Sequence, residues 1–275
     1  MPELPEVETV VRQLQKSGIE NCTILKVKID WLPIIQPYSK KEFSKNICKE
    51  KIKKISRYGK WIIFQLSNHK FIFAHLRMSG NFSSMKSKYD RAELTLSNKK
   101  KLFFKDTRKF GRWIFTTEPQ KILDKLGPDA ISDDFSFEYF YKELKKKNRM
   151  LKPFLLDQSF IAGIGNIYAD EALWLSRIHP KSTSSSLSKM KAKKLYKAII
   201  QVLKIGIHNN GTSLGRGKSN FKGYDGNYGE AQEEVKAYGR NGKTCKRCSN
   251  LMVKIYVAQR GTTICPKCQV ILKPK

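Results

Sequence analysis

The sequence predicts an α+β protein whose first half is an antiparallel β-sandwich and whose second half combines helices with a small β-hairpin. Three observations lead to this prediction. Short β-type segments follow one another up to residue 116, apolar residues at helical spacing follow from residue 137, and two pairs of cysteines occur near the C-terminus. A chain of 275 residues is long enough for two domains, each with its own core.

The first predicted element is a helix that begins within residues 2–8 (PELPEVE). Proline suits the first helical position, where no backbone N–H donor is needed, and glutamates suit the positive end of the helix dipole. Val7, Val10, Val11 and Leu14 then recur at helical spacing. We expect this helix to lie against the sandwich.

Pro2 also allows a chemical interpretation. If Met1 is removed, Pro2 becomes a secondary amine, and a free α-amine has a pKa near ~7.7–8.0, so that a useful fraction is uncharged near neutral pH. Such an amine can form a Schiff base with a carbonyl-like carbon. Residues 2–8 alone leave both interpretations open, a helix start and a nucleophile.

Seven short segments have the composition of β-strands and are separated by Gly, Asn and Ser. This spacing predicts an antiparallel sandwich or barrel. The predicted strands cover residues 24–29, 51–55, 61–66, 71–76, 92–96, 102–105 and 113–116.

Helical patterns replace the strands beyond residue 126. Residues 137–147 and 187–207 are predicted helices, and the second should stop at the turn-forming residues 209–211. Residues 182–188, rich in serine, should form a loop and an N-cap before the long helix. We place the boundary of the first domain near residues 131–136.

Gly163, Gly165 and Asn166 precede a further helical run. A tight glycine turn at a helix N-terminus presents free backbone N–H groups, which bind anions such as phosphate. Close packing of two helices explains the same glycines equally well, so this motif alone leaves the choice open.

Four cysteines give the most specific spacing in the chain: Cys245, Cys248, Cys265 and Cys268. Two CxxC units at this separation predict a zinc ribbon with one structural Zn²⁺, because thiolates fill all four positions and none is left for water. Residues 252–257 and 262–264 should form its hairpin, with the turn at residues 259–261. Cys22 and Cys48 are interpreted as ordinary buried residues.

The charge of the chain points to a polyanionic partner. Lys and Arg total 54 against 24 Asp and Glu, a net charge of +30, which leaves DNA, RNA and the ribosome open as partners. No acidic residue follows Glu234, whereas ten lysines and arginines do. We therefore expect the ribbon to face phosphates, with Arg260 at its turn aimed at one. The sequence contains nothing like an export signal or a membrane span, so we expect a soluble protein.

Seven short motifs occur in a fixed order along the chain. They are residues 2–8, 57–60 (RYGK), 75–80 (HLRMSG), 106–111 (DTRKFG), 163–169 (GIGNIYA), 238–240 (YGR) and 260–262 (RGT). Together they closely resemble the bacterial formamidopyrimidine-DNA glycosylase family over nearly the whole chain. The resemblance implies a bifunctional glycosylase and AP lyase of base excision repair that acts on oxidised purines in damaged double-stranded DNA.

The resemblance also implies roles for residues of the N-terminal region. Pro2 would attack C1′ of the damaged nucleotide and form an iminium that leads to strand cleavage by β,δ-elimination. Glu3 would be the general acid/base that assists opening of the sugar ring. Glu6 would support the hydrogen bonds and water of the site, and Lys60 would contact the lesion or its phosphate. An amine that stays unprotonated beside a carboxyl that moves protons is a coherent pair.

Further residues would contact the DNA. Removing a nucleotide from the stack costs a few kcal/mol, and apolar wedges suit the gap that it leaves. The resemblance implies that the wedge consists of Met78, Arg108 and Phe110. It implies phosphate contacts by Asn166 and Arg260, helped by His75 and Lys152.

The implied organisation has three parts: a catalytic β-sandwich domain (1–131), a helix-two-turn-helix DNA-binding domain (132–236) and a zinc-ribbon finger (237–275). It also implies a monomer in the bacterial cytoplasm, associated with the nucleoid. Residues 212–221, where the family's lesion-capping loop should lie, are glycine-rich and differ from the commonest form. Thr107 replaces a frequent proline, and Gln259 replaces a frequent glycine. Base preference therefore stays open.

Two other functions fit parts of the pattern. An endonuclease VIII-like glycosylase would act on oxidised pyrimidines, although Leu4 and residues 76–80 favour the purine-acting branch. A non-catalytic zinc-ribbon protein that binds nucleic acid would use the basic charge without a covalent step.

Overall fold

The computed structural model describes residues 1–214 and 221–272, so the central part of the 212–221 loop singled out above, residues 215–220, lies outside the described residues. The chain forms two compact units. The first combines Met1–Asp124 with Gly206–Gln232, and the second combines Lys125–Ile205 with Glu233–Lys275. The three-part division made from the sequence stays a prediction.

The first unit begins with helix α1, Leu4–Lys16, as predicted. Its N-cap is Glu3, and Lys16 in the last turn suits the negative end of the dipole. Val7, Val10 and Leu14 are completely buried. The apolar face recognised in the sequence is therefore the face that α1 packs into the core of this unit.

Among the described residues of the first unit, eight strands form two antiparallel sheets of four. The strands are β1 (Ile24–Ile29), β2 (Ile52–Tyr58), β3 (Trp61–Leu66), β4 (Phe71–His75), β5 (Gly80–Ser83), β6 (Asp90–Leu96), β7 (Lys101–Asp106) and β8 (Arg112–Thr116). One sheet has the order β1-β6-β7-β5 and the other β2-β3-β4-β8. Phe82 of the first sheet meets Phe64 and Trp113 of the second, with ring centroids 5.4 and 5.7 Å apart. The predicted sandwich is confirmed.

One strand and two helices of this unit, among the described residues, are absent from the prediction. Strand β5 has only four residues, GNFS, in which glycine and asparagine hide the β pattern. Helix α2, Lys40–Ile47, is polar on most of its surface, but Ser39 and Glu42 form a capping box at its start. A short helix α3, Gln120–Leu123, lies at the end of the first of the two segments that form the unit.

The second unit is mainly helical. It contains α4 (Phe137–Lys146), α5 (Leu151–Leu155), α6 (Asn166–Leu175) and most of α7 (Lys189–His208), which enters the first unit at residue 206. Ser188 accepts a hydrogen bond from the Lys191 N–H, as expected of the N-cap. The predicted helices 137–147 and 187–207 are confirmed within two residues at each end, whereas α5 was not predicted.

The ribbon hairpin consists of β9 (Val253–Val257) and β10 (Arg260–Ile264), paired antiparallel. The predicted turn at residues 259–261 is wrong. The turn consists of Ala258 and Gln259, with φ of +46° and +61°, and Arg260 is the first residue of β10, opposite Val257. Two-residue turns with positive φ at both positions match the twist of the flanking strands, which sequence alone did not indicate here because neither residue is Gly or Asn.

None of the helices within residues 1–214 and 221–272 is both long and apolar enough to cross a membrane.

Candidate functional site

The N-terminus holds the candidate nucleophile next to a buried carboxyl group. Pro2 is buried and Glu3 is 2% exposed, whereas Met1 is 47% exposed. Both residues precede the first turn of α1, whose N-terminal end favours uncharged or negative groups. Removal of the exposed Met1 would leave the helix and its packing in place.

Glu6 connects this N-terminus to the segment that follows α7. Its carboxylate, 1% exposed, accepts the Glu3 N–H and the Thr212 N–H, both at 2.7 Å. Gly211, with φ +81°, lies so close that a Cβ there would be 2.9 Å from Glu6 Cγ and 3.1 Å from its Cα. The sequence marked Gly211 only as a helix stop, and no local pattern could have paired it with Glu6.

A half-buried ion pair fixes the hairpin that carries Lys60. Arg57 Nε lies 2.9 Å from the Glu8 carboxylate, which also binds Arg12 at 2.8 Å. Burial raises the pKa of Glu8, but the hydrogen bonds and charges of Arg57 and Arg12 outweigh it and hold that pKa below its ordinary value. Lys60 follows Gly59 in the two-residue turn between β2 and β3 and is 6% exposed. Its position is therefore set by the α1 helix as well as by the sheet.

His75 is a neutral histidine at the end of β4. Its Nδ1 accepts the Arg77 N–H at 2.9 Å, so the proton of the neutral ring is on Nε2. Burial, helped by the charges of Arg77 and Lys60, lowers the pKa of His75 to about 3. The ring packs edge-on against Trp61, 4.9 Å between centroids. His75 can thus donate one hydrogen bond to an anion without carrying charge.

The three residues expected in the wedge lie on two neighbouring loops. Met78 is 39% and Phe110 is 53% exposed, and the Arg108 guanidinium lies 5.2 Å from the centre of the Phe110 ring. The Arg108 N–H donates to Ser79 Oγ at 3.0 Å, which brings the loop after β7 to the loop after β4. Exposed apolar side chains grouped in this way suit a surface that meets another molecule.

In the second unit, the glycine turn and the ribbon meet. Asn166 is the first residue of α6, and its Nδ2 donates to the Gly261 carbonyl at 3.1 Å. Arg260, one residue earlier, is exposed. The start of α6 and an arginine of β10, which separate motifs had suggested as phosphate contacts, are therefore held by one hydrogen bond.

Lys152 has a different environment from the one expected. It is completely buried, and its Nζ lies 2.6 Å from Asp170 Oδ1 and donates to Thr262 Oγ1 at 2.7 Å and to the Gly261 carbonyl at 3.2 Å. Asp170 Oδ2 in turn accepts the Thr263 N–H at 3.1 Å. The Nζ of Lys152 thus has three partners behind β10, and the phosphate contact expected of Lys152 stays a prediction. No sequence pattern indicated this pair, because its partners are 18 residues apart on different helices.

The four cysteine sulfurs fit one metal ion. They all lie within 4.8 Å of one another, with Sγ–Sγ distances of 4.0 Å for Cys245 and Cys268 and 3.4 Å for Cys248 and Cys265. Tetrahedral zinc with sulfur ligands requires separations of about 3.8 Å. The Trp174 indole N–H points at Cys245 Sγ from 3.4 Å, a contact that suits a thiolate. Four thiols without an open position indicate a structural site.

The ribbon is tied to the C-terminal part of α6. Arg247 lies over the Trp174 ring, 4.1 Å from its centre, and donates to the carbonyls of Trp174 and Leu175. The two remaining cysteines belong to the first unit. Cys22 is buried as expected, but Cys48 is only half-buried, at the end of α2.

Family models match three parts of the chain. The "Formamidopyrimidine-DNA glycosylase N-terminal domain" matches residues 1–113, the "Formamidopyrimidine-DNA glycosylase H2TH domain" matches residues 126–217, and the "Zinc finger found in FPG and IleRS" matches residues 242–270. These matches cover the sandwich, the helices and the ribbon in turn.

Relatives resemble the chain over its full length. A formamidopyrimidine-DNA glycosylase of Protochlamydia amoebophila is 40% identical and covers 98% of this chain and 99% of its own, and one of Lactobacillus acidophilus is 41% identical, covering 99% and 100%. Among solved structures, a Lactococcus lactis FPG variant in complex with DNA containing Fapy-dG has a TM-score of 0.89 at 34% identity, covering 98% of this chain and 99% of its own.

Two further solved structures are also similar to this chain over nearly its full length. The Lactococcus lactis Fpg bound to DNA with an abasic site has a TM-score of 0.88 at 34% identity and covers 97% of this chain and 99% of its own. The MutM (FPG) protein of Thermus thermophilus has a TM-score of 0.89 at 34% identity, with 98% coverage of both chains.

Proposed function

The chain belongs to the formamidopyrimidine-DNA glycosylase family, and on this premise we propose that the amine of Pro2 is its nucleophile. The protein is a DNA glycosylase of base excision repair that binds damaged DNA and holds one structural zinc ion on its cysteine cluster. The observation that carries the proposal is the buried Pro2–Glu3 pair at the start of α1, next to a Glu6 carboxylate fixed by two backbone N–H groups.

The proposed reaction begins when Met1 is removed and Pro2 becomes a secondary amine. The lone pair of this nitrogen attacks C1′, the glycosidic bond breaks, and the damaged base leaves with the bonding electrons. Glu3 donates a proton to the ring oxygen, so the sugar opens and an iminium links Pro2 to C1′. The iminium then acts as an electron sink for β- and δ-elimination of the two phosphates, and water finally releases the enzyme.

Several features of the N-terminus support this role. The start of α1 favours an uncharged amine over an ammonium, because the helix dipole places partial positive charge there. Glu3 is adjacent to the amine in sequence and is buried, which suits a carboxyl group that exchanges protons. Each oxygen of Glu6 accepts a backbone N–H, so we assign Glu6 a positioning role.

Lys60 and His75 are proposed to contact the lesion strand. Lys60 is held at the end of the β2–β3 hairpin, and His75 presents a neutral Nε2–H donor. In the second unit, Asn166 and Arg260 are proposed to bind a phosphate, since they combine a helix start with a guanidinium. Lys152 supports that site from behind.

Oxidised purines are the proposed substrates. The Lactococcus lactis proteins similar to this chain were solved with DNA containing Fapy-dG or an abasic site. We propose the same lesion classes here, with 8-oxoguanine and formamidopyrimidines first. Oxidised pyrimidines are the competing class, and a panel of single-lesion duplexes decides between them.

We also propose that the protein acts as a monomer on nucleoid DNA in the bacterial cytoplasm. Each catalytic step described above uses the Pro2 of a single chain, which supports a monomer. The relatives named above all come from bacteria, which supports the bacterial cytoplasm. Size-exclusion chromatography with light scattering, with and without DNA, tests the monomer.

Borohydride trapping tests the nucleophile. Wild-type protein incubated with a duplex containing 8-oxoguanine and with sodium borohydride should yield a covalent protein–DNA adduct. Pro2→Gly should reduce its yield by about 100-fold or more, because the secondary amine is lost. Pro5→Ala is the matched control: it changes the other proline of the same helix start but keeps the carbonyl that accepts the Thr9 hydroxyl at 2.9 Å.

Three outcomes contradict the proposal. An adduct yield with Pro2→Gly equal to that of the wild type would show that another residue is the nucleophile, and Lys60 would be the next residue to replace. Tight binding of damaged DNA without any adduct would favour a non-catalytic binding protein. Mass spectrometry that finds active protein still carrying Met1 would exclude the Pro2 amine.

A further inference from the structure

One buried carboxylate joins the two loops that carry the wedge residues. Asp106, at the end of β7, is 1% exposed. Its Oδ1 accepts the Arg108 N–H at 3.1 Å and the Ser79 hydroxyl, and its Oδ2 accepts the Gly111 N–H at 2.6 Å. Ser79 follows Met78 directly, and Arg108 and Gly111 enclose the turn that carries Phe110. A single side chain thus fixes both loops.

The backbone of both loops is held in uncommon conformations. Arg77 and Lys109, which precede Met78 and Phe110, have φ of +53° and +60°. Such conformations are unfavourable for residues other than glycine and persist only where the surrounding structure holds them. Gly111 also packs closely, since a Cβ there would lie 2.5 Å from the Phe104 ring and 3.1 Å from Asp106 Oδ2. The Asp106 carboxylate and the Phe104 ring hold the two loops in these conformations.

We infer that Asp106 is a positioning residue that holds Met78, Arg108 and Phe110 as one preformed wedge. The inference rests on the proposed function, because a wedge matters only if a nucleotide is pulled out of its stack. Extrusion costs free energy, and each exposed side chain that must be ordered on binding adds to that cost. A wedge that is ordered before DNA arrives avoids the second contribution.

The geometry requires a carboxylate in particular. Asp106 accepts three hydrogen bonds through two oxygens, whereas asparagine has one oxygen and an amide that donates. Asp106→Asn therefore keeps the shape of the side chain but turns an N–H donor towards either Arg108 N–H or Gly111 N–H. At least one of the two backbone hydrogen bonds that hold the loop after β7 must be lost, and the packing around Phe104 is retained.

Asp90 offers a matched control on the same sheet. It is 9% exposed and accepts the Ser87 N–H at 2.8 Å and the Ser87 hydroxyl at 2.9 Å. Asp90→Asn makes the same chemical change in a loop that carries none of the wedge residues. Ser79→Ala is a milder second variant, since it removes the hydroxyl between the loops and leaves both N–H bonds to Asp106.

The experiment compares two substrates under single-turnover conditions. Excision of 8-oxoguanine from an intact duplex requires extrusion, whereas cleavage of an abasic site in single-stranded DNA does not. We expect Asp106→Asn to lower the duplex rate by about 10–100-fold and the single-strand rate by less than about 3-fold. Ser79→Ala should lower only the duplex rate, by about 3–10-fold, and Asp90→Asn should change both by less than about 3-fold.

A rescue measurement separates positioning from general damage. When 8-oxoguanine lies in an unpaired bubble, its base pair is already broken and extrusion costs much less free energy. Asp106→Asn should therefore regain most of the wild-type rate on this substrate. Equal losses on duplex, bubble and single strand would overturn the inference, and so would a wild-type duplex rate in Asp106→Asn. If the wild-type protein cleaves none of these substrates, the proposed function itself fails and the inference with it.

Discussion

Replacing Gly211 with alanine tests how far the N-terminal site depends on the segment after α7. Gly211 has φ +81°, and an added Cβ would lie 2.9 Å from Glu6 Cγ, 3.0 Å from Oε1 and 3.1 Å from Cα. The Cα of Glu6 belongs to helix α1 and cannot move without it. The side chain and the Thr212 N–H that it holds must therefore separate.

The expected magnitude has two parts. A left-handed conformation costs a non-glycine residue about 1–2 kcal/mol. Hydrogen bonds to a charged group such as Glu6 contribute about 1.5–3 kcal/mol. We expect Gly211→Ala to lower the free energy of unfolding by about 3–5 kcal/mol. Gly226→Ala, with φ +87° but nothing within 4 Å of the new Cβ, should show only the first part, about 1–2 kcal/mol.

Urea unfolding and single-turnover excision of 8-oxoguanine are the assays. Gly211→Ala should also slow excision by about 10–100-fold, because a misplaced Glu6 no longer aligns the start of α1. Gly226→Ala should retain activity. If the two variants lose stability equally, within about 0.5 kcal/mol, then the contact with Glu6 contributes nothing and the reasoning is refuted.

Three further predictions concern the remaining buried groups. Lys152→Met should lower the free energy of unfolding by about 3–5 kcal/mol, because it leaves the buried Asp170 carboxylate without its ion-pair partner. The double variant with Asp170→Leu should regain most of this loss. Wild-type stability of Lys152→Met in urea unfolding would contradict the prediction. Chelation of zinc, or Cys245→Ser, should weaken DNA binding by at least about 10-fold in fluorescence anisotropy, while borohydride adducts persist at saturating DNA; unchanged affinity would exclude the ribbon from the interface. The pKa of His75 is lowered from 6.5 to about 3, so its contribution to stability should be complete above pH 6.5 and decline as pH falls towards 3. His75→Asn should flatten that slope in unfolding curves measured at several pH values, and an unchanged slope would show that other groups cause it.

Elements with a strong local pattern were predictable from the sequence. Helix α1, the long helix α7 and strands β3 and β4 have regular apolar spacing. Helix α1 begins within the predicted residues 2–8, and the predicted bounds of α7, β3 and β4 agree with the structure within two residues. The cysteine cluster was equally accessible, because CxxC units constrain the sulfurs before any tertiary contact forms. Local signals suffice where residues close in sequence are also close in space.

Features that depend on distant partners were not predictable. The Glu6–Thr212 bond joins residues 206 positions apart. The burial of Lys152 depends on its partner Asp170 on another helix, because lysine rarely lies buried without a partner. Asp106 has no local signal that marks a role in positioning, although it is the first residue of the motif at residues 106–111. Its three hydrogen bonds become visible only when the loops after β4 and β7 are placed side by side.

The Gly261 carbonyl accepts hydrogen bonds from both Asn166 and Lys152, which lie on different helices. This one oxygen therefore fixes the position of β10 along its own length relative to helices α5 and α6. Slippage of the strand by a single residue would turn the Arg260 side chain to the opposite face. Length changes in this chain should consequently be tolerated at the Ala258–Gln259 tip but not between Gly261 and the knuckle at Cys265, whatever amino acids are inserted.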